Sequence, residues 1–224
     1  MSRSNHPLVP LLATAAAAGL ALYLYKTLSA PKKPKKKVVF VLGPPGAGKG
    51  TQCSLLVERY PSLPFFSAGD LLRAERSSGS DLAAVINGKI SAGEFVPASI
   101  TVGLLKRAME EVGAPLYVVD GFPRTPDNVS AWDAILGDAC ETQFCLFLDC
   151  PESILVDRIL SRGVGRSDDT LPVLRRRFEN YKAETLPIVE AFEAEGKLRR
   201  VRADRDKAVV FEDILGAFRG AGLL

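Results

Sequence analysis

The stretch Val38 to Tyr60, VVFVLGPPGAGKGTQCSLLVERY, reads as three elements in immediate succession. VVFVL is a continuous apolar run without polar alternation, the pattern of a strand buried on both faces of a parallel sheet. SLLVERY has the spacing of an amphipathic helix. Between them lies GPPGAGKGT, Gly43 to Thr51, with glycines at 43, 46, 48 and 50 and the small Ala47 beside them. A loop of that composition lets backbone N–H groups close around anion oxygens. The following helix turns its positive end toward the same point, and Lys49 adds a charge suited to β- and γ-phosphates. Strand, glycine-rich turn with lysine in register, and helix together predict a loop that grips a nucleoside triphosphate.

Working outward, four further runs have strand character: PFFS (64–67), LYVVD (116–120), FCLFLD (144–149) and LRRVRA (198–203). They alternate with helical patterns. One starts at Pro97 and carries Ile100, Leu104, Leu105, Ala108, Met109 and Val112 on one face; another spans Ser153 to Arg162 with Leu155, Ile159 and Leu160. The last runs from Asp206 to about Arg219 with Val210, Ile214, Leu215 and Phe218 inward. Strands and helices in alternation predict an α/β fold, a three-layer P-loop sandwich around a five-stranded parallel sheet.

At 224 residues the chain suits one domain with attachments, and 47% apolar against 25% charged residues is a globular composition. Seven of the 29 basic residues (Arg3, Lys26, Lys32, Lys33, Lys35, Lys36, Lys37) lie in residues 1–37, which contain no acid; the remainder holds 22 basic against 26 acidic residues. That net of −4 excludes general binding of nucleic acid polymers by charge. Pro7 to Tyr25 is 19 residues without a charge. As a helix it is about 28 Å long, close to the roughly 30 Å hydrocarbon core. PKKPKKK, Pro31 to Lys37, follows. These features predict an N-terminal apolar helix over residues 7–25 as a membrane anchor with a basic linker (1–37), and a catalytic domain (38–224) facing the cytoplasm. Soluble cytoplasm, with the nucleus, is the alternative. Cys53, Cys140, Cys145 and Cys150 form no C-x-x-C pair and read as reduced thiols. The single histidine, His6, precedes the domain, which excludes imidazole-based catalysis within it.

Lys49 is followed by Gly50 and then Thr51, where many such loops place the magnesium-binding hydroxyl directly after the lysine. No guanine-reading N-K-x-D occurs, so GTPase switches are demoted. Magnesium is then expected to be held by phosphates and water, with Asp120, at the end of the third strand, as the carboxylate at hand. Ligands of open α/β sheets bind beyond the carboxyl ends of strands, which brings Arg73 of SAGDLLR and Arg124 of DGFPRTPDN to the mouth where Lys49 sits. RILSRGVGRSDD adds Arg158, Arg162 and Arg166, and the run RRR adds Arg177. An acceptor that is itself a phosphate is mostly ionised near neutral pH, its second pKa being about 6. It needs charge neutralisation and alignment rather than a general base, and planar arginine suits that task.

GPPGAGKGTQC (43–53), FSAGDLLRAE (66–75), VVDGFPR (118–124) and SRG followed by GRSDD (161–169) resemble the nucleoside monophosphate kinases, the adenylate kinase-like P-loop enzymes, and among them the UMP/CMP kinases. The resemblance covers residues 38–224. It implies phosphoryl transfer from ATP with Mg2+ to UMP and CMP. Gly43, Gly46, Ala47, Gly48, Lys49, Gly50 and Thr51 would bind the ATP phosphates, and Arg158 would stack on its base. Ser67, Ala68, Arg73, Gly121, Arg124 and Asn128 would hold the monophosphate. Arg162, Arg166 and Arg177 would surround the transferring phosphoryl, Asp168 and Asp169 would belong to a short lid (about 162–170), and residues 67–97 would form a helical flap. AMP-selective relatives usually have threonine at Ala68 and glutamine at Asn128, so the shorter amide suits a pyrimidine. Thr125 stands where UMP/CMP kinases often have asparagine. A monomer is expected. The alternatives are adenylate kinase, separable by AMP as acceptor, and a membrane-tethered nucleotide-binding adaptor without turnover.

Overall fold

Val38 and Phe40 bury their side chains with Tyr117 and Val119 on one side of a sheet, while Val39 and Val41 bury theirs with Val118 and Leu146 on the other. The unbroken apolar run is thus a strand covered on both faces. The structure, a computed structural model, describes residues 34–160 and 170–224. The expected anchor, residues 7–25, and the lid residues Arg162, Arg166, Asp168 and Asp169 lie outside the described residues. Among those described, no helix is long and apolar enough to cross a membrane.

Five strands, β1 (Lys36–Leu42), β2 (Phe65–Ser67), β3 (Leu116–Asp120), β4 (Cys140–Asp149) and β5 (Leu198–Arg202), form a sheet in the order β2-β3-β1-β4-β5. All neighbours pair in parallel. α1 (Lys49–Arg59) and α9 (Lys207–Gly220) contribute Leu56, Ile214 and Phe218 to one face. α4 (Ala98–Val112) and α5 (Pro126–Leu136) cover the other with Val102, Leu105, Met109 and Trp132. Between β2 and α4 lie α2 (Ala68–Ser77) and α3 (Ala83–Ser91). After β4 come α6 (Glu152–Leu160), α7 (Leu171–Asn180), a π-helical turn (Tyr181–Thr185) and α8 (Leu186–Ala194). All four cysteines are buried and free; burial pushes the Cys145 thiol far above the ordinary range.

Two local expectations differ. Pro97 is the N-cap of α4 rather than its first helical residue. Val112, expected inward, is 52% exposed: it is the last residue of α4, with Gly113 as C-cap, where the helix ends. The inward face is completed instead by Thr101 and Val102.

Chain order and register explain where a ligand goes. β1 leads to β2 across one side of the sheet and β3 leads to β4 across the other, so the loops after β1 and β3 depart in opposite directions and leave a crevice between them. Register then aligns the ends. Asp120 pairs with Val41 of β1 and with Ser67 of β2, and Gly121 N–H donates to Val41 O at 2.9 Å. Three loops begin side by side.

Candidate functional site

The loop after β1 wraps tightly because its first residue has no side chain. A Cβ on Gly43 would stand 2.7 Å from Leu148 O of β4, too close for any non-glycine residue without backbone movement. Lys49, the first residue of α1, turns back over the loop. Its Nζ donates to Gly43 O at 2.8 Å and Pro44 O at 3.0 Å, so the ammonium is held above the loop by the loop's own carbonyls. Gly46, Gly48 and Gly50 line the same cavity as Lys49. Ala47 is instead buried in the core, at 2% exposure, and Thr51 faces solvent outside the cavity lining.

That cavity, about 370 Å³, falls within the roughly 300–1,000 Å³ of small-molecule sites. Ser67, Ala68, Arg73, Asp120, Gly121 and Arg124 line it, with Asn128 and Arg177. The fold therefore brings Lys49 together with three of the arginines expected there. Of the run Arg175 to Arg177, Arg177 is the half-buried one that lines the cavity, and its two neighbours are exposed. Arg158 is not brought into this lining. On α6 it faces the carboxyl ends of β4 and β5, where its guanidinium donates to Ala203 O at 2.8 Å and contacts Cys150 Sγ at 3.7 Å. Gln52 Nε2 donates to Lys207 O at 3.0 Å, so Arg158 and Gln52 brace the two ends of the β5–α9 loop.

Arg73 and Arg124 are each held by their own local structure. Ser67 Oγ caps α2 by accepting from Asp70 N at 3.2 Å, and this first turn carries Asp70, whose carboxylate pairs with Arg73. Gly69 leaves room for the Arg73 guanidinium to lie back across the helix start. Arg124 Nε donates to Gly121 O at 2.6 Å. Gly121 has φ +70°, and a Cβ there would collide with the Arg124 guanidinium; glycine is needed both for the turn and for the arginine. Asn128 closes the loop, its Oδ1 accepting from Arg124 N at 3.0 Å.

Thr125 has a structural task. Its Oγ1 accepts from Asn128 N at 3.2 Å as the N-cap of α5. Threonine and asparagine both serve at that position.

Lys49 and Asp120 stand in the mouth together with the charges of Arg73, Arg124 and Arg177. Both act on the buried Cys53 thiol beneath them: burial pushes its pKa well up, the Asp120 charge adds to the rise, and Lys49 opposes it. Among the described residues no cluster of three or more His, Cys, Asp or Glu could hold a metal. Of the three carboxylates in the lining, Asp70 pairs with Arg73 and Glu94 with Lys89, while Asp120 stands at the end of β3 beside the phosphate loop. That suits magnesium, which keeps several waters and binds through one or two carboxylates plus ligand phosphates.

Several lining residues carry no motif: Thr101 on α4, the Gly93 to Val96 turn, and Asn180, Tyr181 and Thr185 after Arg177. For the last group a signal exists in the spacing, since 177, 180, 181 and 185 share one helical face. Asn180 Nδ2 donates to Gly93 O at 2.9 Å, tying the turn after α3 to the helix of Arg177. Burial, chiefly, pushes the Tyr181 pKa up to about 12, so it is a neutral phenol in the wall.

Comparison with known proteins agrees with this geometry. The family model "Adenylate kinase" matches residues 41–197. The chain is 46% identical over 184 residues to "Probable UMP-CMP kinase 1" of Arabidopsis thaliana, covering 82% of this chain and 89% of that one. It is 46% identical over 186 residues to "UMP-CMP kinase 2" of Caenorhabditis elegans (82% and 97%). To "Uridylate kinase" of Saccharomyces cerevisiae it is 43% identical over 188 residues (81% and 90%). Likeness of this extent, running through the phosphate loop and the loops that bear Arg73 and Arg124, places the chain in the adenylate kinase family, the ATP-dependent nucleoside monophosphate kinases.

Proposed function

We propose that the protein transfers the γ-phosphoryl group of ATP to UMP and CMP, giving ADP and the nucleoside diphosphate. The observation that carries this reading is the convergence of Lys49 with Arg73, Arg124 and Arg177 on one cavity. Two phosphate-bearing anions repel each other strongly, and four cations around one volume offset that repulsion while holding both in line. The acceptor phosphate enters ionised, so no side chain has to remove a proton.

The backbone of the Gly43 to Thr51 loop and Lys49 bind the ATP phosphates. Arg73 and Arg124, held by Asp70 and Gly121, grip the acceptor phosphate and orient it. Arg177 faces the transferring group, and by motif Arg162 and Arg166, with Asp168 and Asp169 on the lid, join it. Arg158 supports the ATP base from outside this cavity. Asp120 holds magnesium through water; when bound, that ion neutralises charge on the ATP phosphates. Residues 67–97 act as the flap over the monophosphate. Action as a monomer is part of the same reading.

Asn128 supports the pyrimidine preference. It is 6% exposed, and with Oδ1 engaged by Arg124 N–H the end it turns to a ligand is the Nδ2 donor. Reversing the amide would set two donors against each other. A donor suits O2, which uracil and cytosine share, and so permits both bases. Ala68 leaves the neighbouring wall without a hydroxyl.

Measured ADP formation should be fast with UMP and CMP and slow with AMP. Asn128→Gln should reduce the UMP-to-AMP preference by about tenfold, because the longer amide cannot both accept from Arg124 N–H and fit a pyrimidine edge. An unchanged preference would remove Asn128 from base reading, and ATP binding without ADP formation from any monophosphate would favour an adaptor.

We also propose residues 7–25 as a membrane anchor that leaves the domain facing the cytoplasm, on the strength of their 19 uncharged residues and the basic run after them. High-pH carbonate extraction should leave the intact chain in the membrane pellet; its release would refute the anchor.

A further inference from the structure

The helix that carries Arg177 is not uniform. Past Asn180 its ladder widens into the π-helical turn Tyr181–Thr185, where Leu186 N–H reaches back to Tyr181 O. Pro187 supplies the physical reason. It has no N–H to continue an α ladder and its ring collides with the carbonyl four residues before it, so the preceding turn opens by one residue. Thr185 ends that turn. It is buried, at 4% exposure, and lines the cavity. Its hydroxyl donates to Arg124 O at 2.9 Å, across 61 residues of sequence. A helical threonine ordinarily returns its hydroxyl to a carbonyl of its own preceding turn; this one reaches a different segment.

We infer that Thr185 is a positioning residue for the acceptor phosphate: its hydroxyl sets the backbone of Arg124 against the helix that bears Arg177. The bonds from Arg124 to Gly121 and Asn128 lie within one loop and fix that loop's internal shape. The Thr185 bond ties the loop to another element. Arg124, which grips the acceptor, and Arg177, which faces the transferring group, thereby share one frame. Asn180, on the same helical face, ties the turn after α3 to that frame through Gly93 O. A hydroxyl is needed because a methyl in its place has no hydrogen to donate to the Arg124 carbonyl. With that anchor gone the loop shifts, and transfer depends steeply on alignment.

The inference rests on reading the cavity as a monophosphate acceptor site, so the test separates the two. UMP turnover and UMP binding by the full-length unsubstituted protein test that reading; loss of both overturns it and this inference together. Given turnover, Thr185→Val should raise the KM for UMP by roughly tenfold, short of the roughly 10²-fold that a 1 Å misplacement costs. The KM for ATP should stay within about twofold, and Thr185→Ser should restore the KM for UMP. In an Arg124→Lys background, Thr185→Val should add little further loss, because the two act as one unit. Thr185→Ala, read in the same way, serves if the valine variant does not fold. Equal losses in the Arg124 and Arg124→Lys backgrounds would overturn the inference. So would a thermal midpoint that falls while the KM for UMP stays unchanged, which is the signature of a merely structural threonine.

Discussion

Lys49→Met should lower kcat by about 10²- to 10³-fold, the usual cost of removing one preorganised charge-stabilising donor, with little change in the thermal midpoint. Methionine keeps the length and apolar stem of lysine, so the packing of α1 on the sheet is untouched. What disappears is a cation placed over the phosphate loop, bonded at 2.8 Å to Gly43 O and at 3.0 Å to Pro44 O. Those carbonyls face an open cavity, where water replaces the lost donor, so the stability change is about 1 kcal/mol or less. Because Lys49 acts where charge shifts during transfer, kcat should fall far more than ATP affinity. Steady-state kinetics beside a thermal scan checks both halves. A variant that lost ATP binding and kept its turnover at saturation would show that Lys49 only tethers the nucleotide. Lys49→Arg should not substitute for it, since the planar guanidinium is bulkier than the ammonium held by Gly43 O and Pro44 O.

Arg124→Ala should cut kcat/KM for the monophosphate by roughly 30- to 4,000-fold, corresponding to the 2–5 kcal/mol typical of removing one partner from a desolvated charge pair. The KM for ATP should change much less. The backbone bonds of residue 124 to Asn128 and Thr185 survive the substitution, so what is lost is the guanidinium together with its bond to Gly121 O. Gly121→Ala is the companion experiment. It leaves Arg124 in place chemically but puts a methyl where the guanidinium lies, at a residue with φ +70°. It should reproduce part of the Arg124→Ala defect in acceptor KM, with a lower thermal midpoint from backbone strain. Equal losses for ATP and for the monophosphate in Arg124→Ala would move Arg124 out of the acceptor site.

Particular residues show how far local pattern reaches. All five strands lay at strand-like runs, and for β1, β3 and β4 burial on both faces writes itself into consecutive residues, as in VVFVL and LYVVD, whereas β2 is only half-buried and β5 buries Val201 alone. Helix faces were legible except at an end: Val112 fits the apolar period of α4 but is exposed where the helix ends. Thr125 carried no readable role until its bond to Asn128 N identified a helix cap. Thr185 could be placed on the helical face of Arg177 by spacing, but its bond gave no signal, since a threonine two residues before a proline looks neutral and its partner lies 61 residues away. Arg158, grouped by sequence with the other arginines, is turned by α6 toward Ala203.

What the amino-acid sequence determined unaided was the phosphate loop and the kind of chemistry around it. Strand, glycines, lysine and helix start are contiguous over some twenty residues, so their geometry follows from local sterics and backbone hydrogen bonding. The tertiary structure alone decided which distant residues meet. Arg73, Arg124 and Arg177 are separated by about fifty residues each; the first two meet because Val41, Asp120 and Ser67 stand side by side in a parallel register, and Arg177 joins them from α7, whose continuation bonds to Arg124 O through Thr185. It also decided which end of Asn128 a base would meet. That choice rests on one hydrogen bond from the Arg124 backbone, a partner set by how the loop folds and by nothing in the identity of Asn128 itself.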